Sequence, residues 1–255
     1  MIRSCGVTDT GRVRKTNEDR FVVDTELSLF AVADGMGGHK AGEVASRLAI
    51  EALTAFIRIS VTDIDVTWPY GIDPKLSFEG NRLRTAIYLA NRRVFRASEN
   101  SDDFAGMGTT LVSVLLNGPQ VAIGSVGDSR IYLLADGALQ QLTVDDSWAA
   151  RILAQDSGLG PDEVAKHPMR NVLTNVIGAR ESVDVHLMER TLLDGQVLLL
   201  CTDGLHGVLQ PPAIQQILTS TPDVEVAAQT LVDQAIELGT RDNVTALVVK
   251  YAAEQ

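Results

Sequence analysis

Acidic residues recur at the ends of apolar runs in this chain. Glu18 and Asp19 precede residues 21–23, Asp34 closes the run 27–33, and Asp128 follows 121–126. Asp203 follows 197–201, and Asp242 precedes 244–249. One aspartate in a turn can be satisfied by nearby backbone amides. Several carboxylates delivered to one place by buried strands are costly without counter-charge. A pair of divalent cations would supply it. The donors are oxygens, with no cysteine or histidine cluster and no C-x-x-C spacing, so the chemistry points to Mg²⁺ or Mn²⁺ rather than zinc.

The stretch 27–43, LSLFAVADGMGGHKAGE, is the centre of the pattern: an apolar run, a carboxylate, a glycine turn with His39, then a helix. It is not a nucleotide-phosphate loop of either common type. The third glycine of G-x-G-x-x-G would fall on Lys40, and that lysine is followed by Ala41 rather than Ser or Thr.

These residues need strands to hold them. Residues 2–8, 21–23 and 28–33 read as strands, 40–58 and 78–98 as amphipathic helices with apolar positions every three or four residues. The segment 60–77, broken by Pro69, Gly71 and Pro74, reads as a surface excursion. From Gly108 the period becomes two. Runs 109–116, 121–126, 131–134 and 139–142, joined by Asn117-Gly118, Gly127-Asp128 and Asp136-Gly137, predict an antiparallel meander. Residues 145–178 read as a mobile flap over a sheet edge, with a helix near 148–154. Strands follow at 183–188 and 197–201, helices at 212–218 and 224–237, and a last strand at 244–250. No repeat or linker divides the chain. The expectation is one α+β domain over 1–255, with sheets in the middle and helices outside.

Composition narrows the function classes. A net charge of −11 argues against nucleic acid or an anionic membrane as the main partner. No apolar stretch approaches the ~20 residues of a membrane helix, and no apolar signal core opens the chain. Cys5 and Cys201 read as buried thiols. The expectation is a cytoplasmic protein, monomeric by default.

Seven blocks in order carry a resemblance: RKTNED (14–19), ADGMGGH (33–39), MGTT (107–110), GDSR (127–130), RNVLT (170–174), CTDG (201–204) and RDNVT (241–245). Together they resemble the PPM (type 2C) family of metal-dependent serine/threonine protein phosphatases, in its compact bacterial form. The resemblance implies a four-layer α/β/β/α sandwich of two antiparallel sheets flanked by helices. It implies two Mn²⁺ or Mg²⁺ ions bridged by Asp34, with Asp203 and Asp242 on one, and the Gly35 carbonyl and, through water, Glu18 on the other. Asp19 would orient a water of that shell. Asp128 with Asp203 matches a weaker third site. Relatives often carry an acidic residue four positions beyond Asp203; here Gly207 stands there, beside His206, which predicts weak occupancy.

The same resemblance assigns Arg14 to the substrate phosphate, a role its planar donors suit. His39 is the nearest candidate acid for the leaving alkoxide; its alternative role is to cap the following helix. His167, His186 and His206 read as structural or solvated, Asp145 and Asp146 as turn or cap residues, and the MGTT block as packing. The implied partners are phosphorylated proteins, a Ser/Thr kinase and its targets among them. Two rival readings are a binding module without turnover and a phosphatase of small metabolites.

Overall fold

The structure, a computed structural model, describes residues 1–37, 41–63, 65–155 and 161–253. It contains two antiparallel sheets. One has the order β1 (Ile2–Asp9), β11 (Val244–Tyr251), β10 (Val197–Cys201), β7 (Arg130–Ala135), β8 (Ala138–Gln141). The other runs β2 (Asp19–Asp24), β3 (Leu29–Met36), β5 (Leu111–Asn117), β6 (Gln120–Val126), β9 (His186–Thr191), with the short β4 (Gly108–Thr109) paired to the end of β3. Helices α1 (Ala41–Thr62) and α2 (Phe78–Glu99) cover the second sheet, the short α3 (Trp148–Ala154), α4 (Pro161–Lys166) and α5 (Asp203–His206) lie in connections, and α6 (Pro211–Ser220) and α7 (Val224–Glu237) cover the first sheet.

Both faces of each central strand are buried, which explains why these strands read as continuous apolar runs. In β3, Leu29, Ala31 and Ala33 pack under α1 and α2, while Phe30 and Val32 face the other sheet. In β11, Val244, Ala246 and Val248 face α7, while Leu247, Val249 and Tyr251 face the inter-sheet core. Three cores between four layers follow from that alternation, in agreement with the expected sandwich.

The expected meander is corrected. β5 pairs with β6, and β7 with β8, but β6 and β7 lie in different sheets. Gly127, at φ 97°, turns the chain out of one sheet, and Asp128 and Ser129 carry it to the other. The run 109–116 is likewise split at Thr110, and β3 does not stop at Asp34 but continues to Met36. The strand expected at 183–188 begins later, at His186.

The 60–77 excursion is also revised, since α1 extends to Thr62 and the loop returns over the helices. Trp68 sits edge-on between Phe56 and Phe78, at 5.8 and 5.2 Å, and Tyr70 packs on Tyr88. Cys201 is buried; Cys5 is only half-buried. Burial pushes the Cys201 thiol up to about 12.

Candidate metal centre and catalytic cleft

Strand register brings the acidic residues to one end of the sandwich. Asp19 lies opposite Asp34 in the β2–β3 ladder. In the other sheet, Cys201, which ends β10, pairs with Ala246 early in β11 and with Arg130 at the start of β7. Asp203, Asp242 and Asp128 therefore emerge together. They line a cleft of about 380 Å³ with Arg14, Glu18, Asp34, Gly35 and Asn171. The sequence-predicted metal set is thus brought together in full. His39 lies outside the described residues, so its role as acid rests on the sequence alone.

Asp19 is the buried member. Its Oδ2 accepts from Thr245 Oγ1 at 2.6 Å, on β11 of the opposite sheet, and from Thr202 Oγ1 at 2.9 Å, one residue past β10. Its Oδ1 is buried without a hydrogen-bond partner, as is Asp203 Oδ1. Desolvation pushes Asp19 up to about 7 despite the two hydroxyls. Asp128 also stands at about 7, raised by desolvation and then by Asp203 and Asp145. Asp34 is pushed well up by desolvation and by the charges of Asp19, Asp203, Asp128 and Asp242. Asp203 is raised by desolvation and by Asp242.

Backbone anchors fix the cluster. Asp34 N–H donates to Thr110 Oγ1 at 3.0 Å, Thr110 N–H returns a bond to the Asp34 carbonyl at 2.8 Å, and Thr110 shares a hydroxyl bond with Ser129. The MGTT block is therefore more than packing. Asn243 Oδ1 accepts from Glu18 N–H at 2.8 Å, while its amide donates to the carbonyls of Thr10 and Thr16. It stitches the Arg14–Glu18 loop to Asp242. Two close backbone approaches need glycine. A Cβ on Gly35 would meet the Gly42 carbonyl oxygen at 2.0 Å, and one on Gly204 would meet that of Asn243 at 1.9 Å.

Arg14 lies at the rim and donates to Asp242 Oδ2 at 2.6 Å. Asp145 is not a turn residue: it holds Arg130 through both carboxylate oxygens. Asp146 accepts from Gly127 N–H and from Asn175, and contacts His186 Nε2 at 2.8 Å. These bonds, with Trp148 stacked on His167 at 4.2 Å, tie down the base of the 145–178 segment. His206, half-buried and pushed down to about 4 by desolvation, places Nε2 3.0 Å from the Asp128 carbonyl and so holds the loop that carries Asp128.

Among the described residues no three acidic, histidine or cysteine side chains are drawn into a ready-made nest. The carboxylates ring the cleft instead. Their oxygen-only chemistry, mutual repulsion and the unpartnered Oδ1 of Asp203 nevertheless fit hard divalent cations.

The family model for protein phosphatase 2C matches residues 11–237. The chain belongs to the protein phosphatase 2C family. This family membership makes it a phosphatase. Serine/threonine phosphatase stp of Listeria monocytogenes is 33% identical over 95% of this chain and 93% of its own. Serine/threonine protein phosphatase PstP of Mycobacterium tuberculosis is 36% identical over 97% of this chain, which spans 45% of that longer protein. A crystal structure of the Mycobacterium tuberculosis PstP/Ppp phosphatase superposes with a TM-score of 0.84 at 34% identity, covering 98% of this chain and 99% of that one. A PstP catalytic domain in complex with two manganese ions gives 0.81 at 34% identity, covering 98% of both chains.

Several supporting contacts in this chain escaped the sequence reading: Thr202 and Thr245 under Asp19, Asn243 under Glu18, and Gly42 under Gly35. Their signal was position within the blocks; their roles needed the pairing of two sheets.

Proposed function

We propose that this enzyme hydrolyses phosphoserine and phosphothreonine on proteins, with two Mn²⁺ or Mg²⁺ ions held by Asp34, Asp203, Asp242, the Gly35 carbonyl and, through water, Glu18. The observation that carries this reading is the convergence of Asp34, Asp203, Asp242, Glu18 and Arg14 on one cleft. When bound, the ions would acidify water for direct attack on phosphorus and would supply positive charge to the phosphoryl oxygens.

The chain's own residues do the rest. Arg14 offers two parallel N–H donors to the phosphate dianion, and its bond to Asp242 aims the guanidinium at the carboxylate cluster. Asp19, fixed from below by two threonine hydroxyls, accepts a hydrogen bond from the attacking water and orients it. His39 donates the proton to the leaving alkoxide. Asp128 with Asp203 offers a third, weaker cation position, since Gly207 brings no carboxylate. Asn171 and Leu173 line the cleft, and Val172 between them is exposed, a surface suited to meeting a protein that carries the phosphorylated side chain. A phosphorylated kinase and its targets are the partner class, met in the cytoplasm by a monomer.

The test is substrate choice. The Mn²⁺-loaded protein should release phosphate from a phosphothreonine peptide with kcat/KM at least about tenfold above that for a sugar phosphate. A reversed preference would favour the metabolite reading, and phosphopeptide binding without release would favour a binding module.

A further inference from the structure

On the outer face of the helical layer, α1 and α2 leave a groove of about 520 Å³. Its floor is apolar, with Phe56, Leu89 and Ile59, the last 52% exposed. Its rim is cationic, formed by Arg92, Arg93 and Arg96 of α2. Arg93 is held by Glu51 at 3.0 Å. Arg92 and Arg96 form no ion pair within 4.0 Å among the described residues, and both also wall a neighbouring hollow of about 280 Å³ that Glu181 lines as well. Helix α2 holds five arginines against two glutamates, on a chain whose net charge is −11.

We propose that this groove docks an acidic amphipathic helix of a protein partner. Apolar side chains at i and i+4 enter over Ile59 and Leu89, and flanking carboxylates meet Arg92 and Arg96 as forked pairs. Three points select this occupant. The apolar floor is confined to a few side chains between α1 and α2, the extent of one face of a docked helix rather than of a membrane-seated surface. A net charge of −11 opposes an extended polyanion such as a lipid surface or nucleic acid, whereas a short helix places its few carboxylates only where Arg92 and Arg96 stand. A second copy docked symmetrically would set arginine against arginine. The groove is remote from the cleft: Gly42 to Phe56 along α1 is about 20 Å at ~1.5 Å per residue. Docking there leaves the cleft open, and the proposal stands independently of its chemistry.

The probe is a fluorescein-labelled synthetic helix with leucines on one face and glutamates flanking them, followed by anisotropy with the full chain. Saturable binding is expected, weakened by about tenfold or more in Arg92→Glu/Arg96→Glu and in Ile59→Asp, and by added salt. Melting midpoints and circular dichroism establish that both variants are folded. A matched peptide with lysines for glutamates should not bind. Equal binding to the charge-reversed chain, or of the lysine peptide, overturns the proposal. So does capture by phosphatidylserine vesicles in place of the peptide, or a dimer in sedimentation that Arg92→Glu/Arg96→Glu abolishes.

Discussion

Asp19 and Asp34 stand opposite one another on adjacent strands, two carboxylates facing the same inter-sheet space. Like charges so placed destabilise a sheet. The protein keeps them there and reaches across to Asp19 with Thr245 of β11 and with Thr202, one residue past β10. The centre is therefore a junction of two sheets.

Thr245→Val keeps the shape and removes the shorter of the two bonds to Asp19, together with the 2.7 Å hydroxyl bond to Thr8. A buried charged acceptor then loses half its support. The expected loss is about 1–3 kcal/mol of stability, read by denaturant unfolding of the metal-free protein. A wild-type midpoint would contradict the brace.

Asp128 has a folded pKa of about 7 against an ordinary carboxylate value near 3.8. It takes up a proton on folding, so its contribution is present at low pH and is lost as pH rises from about 4 through about 7. His206 acts in the opposite sense: displaced down to about 4, it costs stability as pH falls below its ordinary 6.5. Asp128→Asn isolates the first effect. In metal-free protein, the variant should gain thermal stability over wild type between about pH 5 and 7.5. Parallel curves would contradict a raised Asp128.

Gly42→Ala sets two effects against each other. Alanine is the better helix former by about 1 kcal/mol. The added Cβ, however, would meet the Glu18 carboxylate and the Gly35 backbone at 2.8 Å. Overpacking of that kind costs about 1–3 kcal/mol, so a net loss of stability is expected, with weaker metal binding by calorimetry. A stabilised variant with unchanged metal affinity would show that the approach is relaxed.

Arg14 and Asp242 form a largely exposed pair, with side chains 50% and 37% accessible, so the pair contributes at most about 1 kcal/mol to folding. Phosphate recognition is a different matter. Arg14→Ala should lower kcat/KM on a phosphopeptide by about 10- to 100-fold, the equivalent of one strong charged hydrogen-bond pair, while the melting midpoint moves little. An unchanged KM and kcat would remove Arg14 from the substrate site.

Much of this was legible in the chain. The carboxylates at run ends, the aliphatic strands and both long helices are local signals, and α7 falls on the expected residues 224–237. What was not legible is pairing. Nothing in the turn Gly127-Asp128-Ser129 distinguishes a hairpin from a crossing between sheets, because both need a positive-φ glycine at the turn. The roles of Thr202, Thr245 and Asn243 arise from contacts between residues up to 226 positions apart, and periodicity carries no such information. Asp145 and Asp146 read as turn residues for the same reason: Arg130 and His186 reach them only in three dimensions.

The most direct measurement is phosphate release from a phosphothreonine peptide by chelated protein, by protein restored with Mn²⁺ or Mg²⁺, and by Asp203→Asn at matched concentration. The account predicts no turnover after chelation, recovery with either ion, and a loss of about two to three orders of magnitude in Asp203→Asn despite a native circular dichroism spectrum. Turnover that survives chelation, or an Asp203→Asn variant as active as wild type, would contradict it.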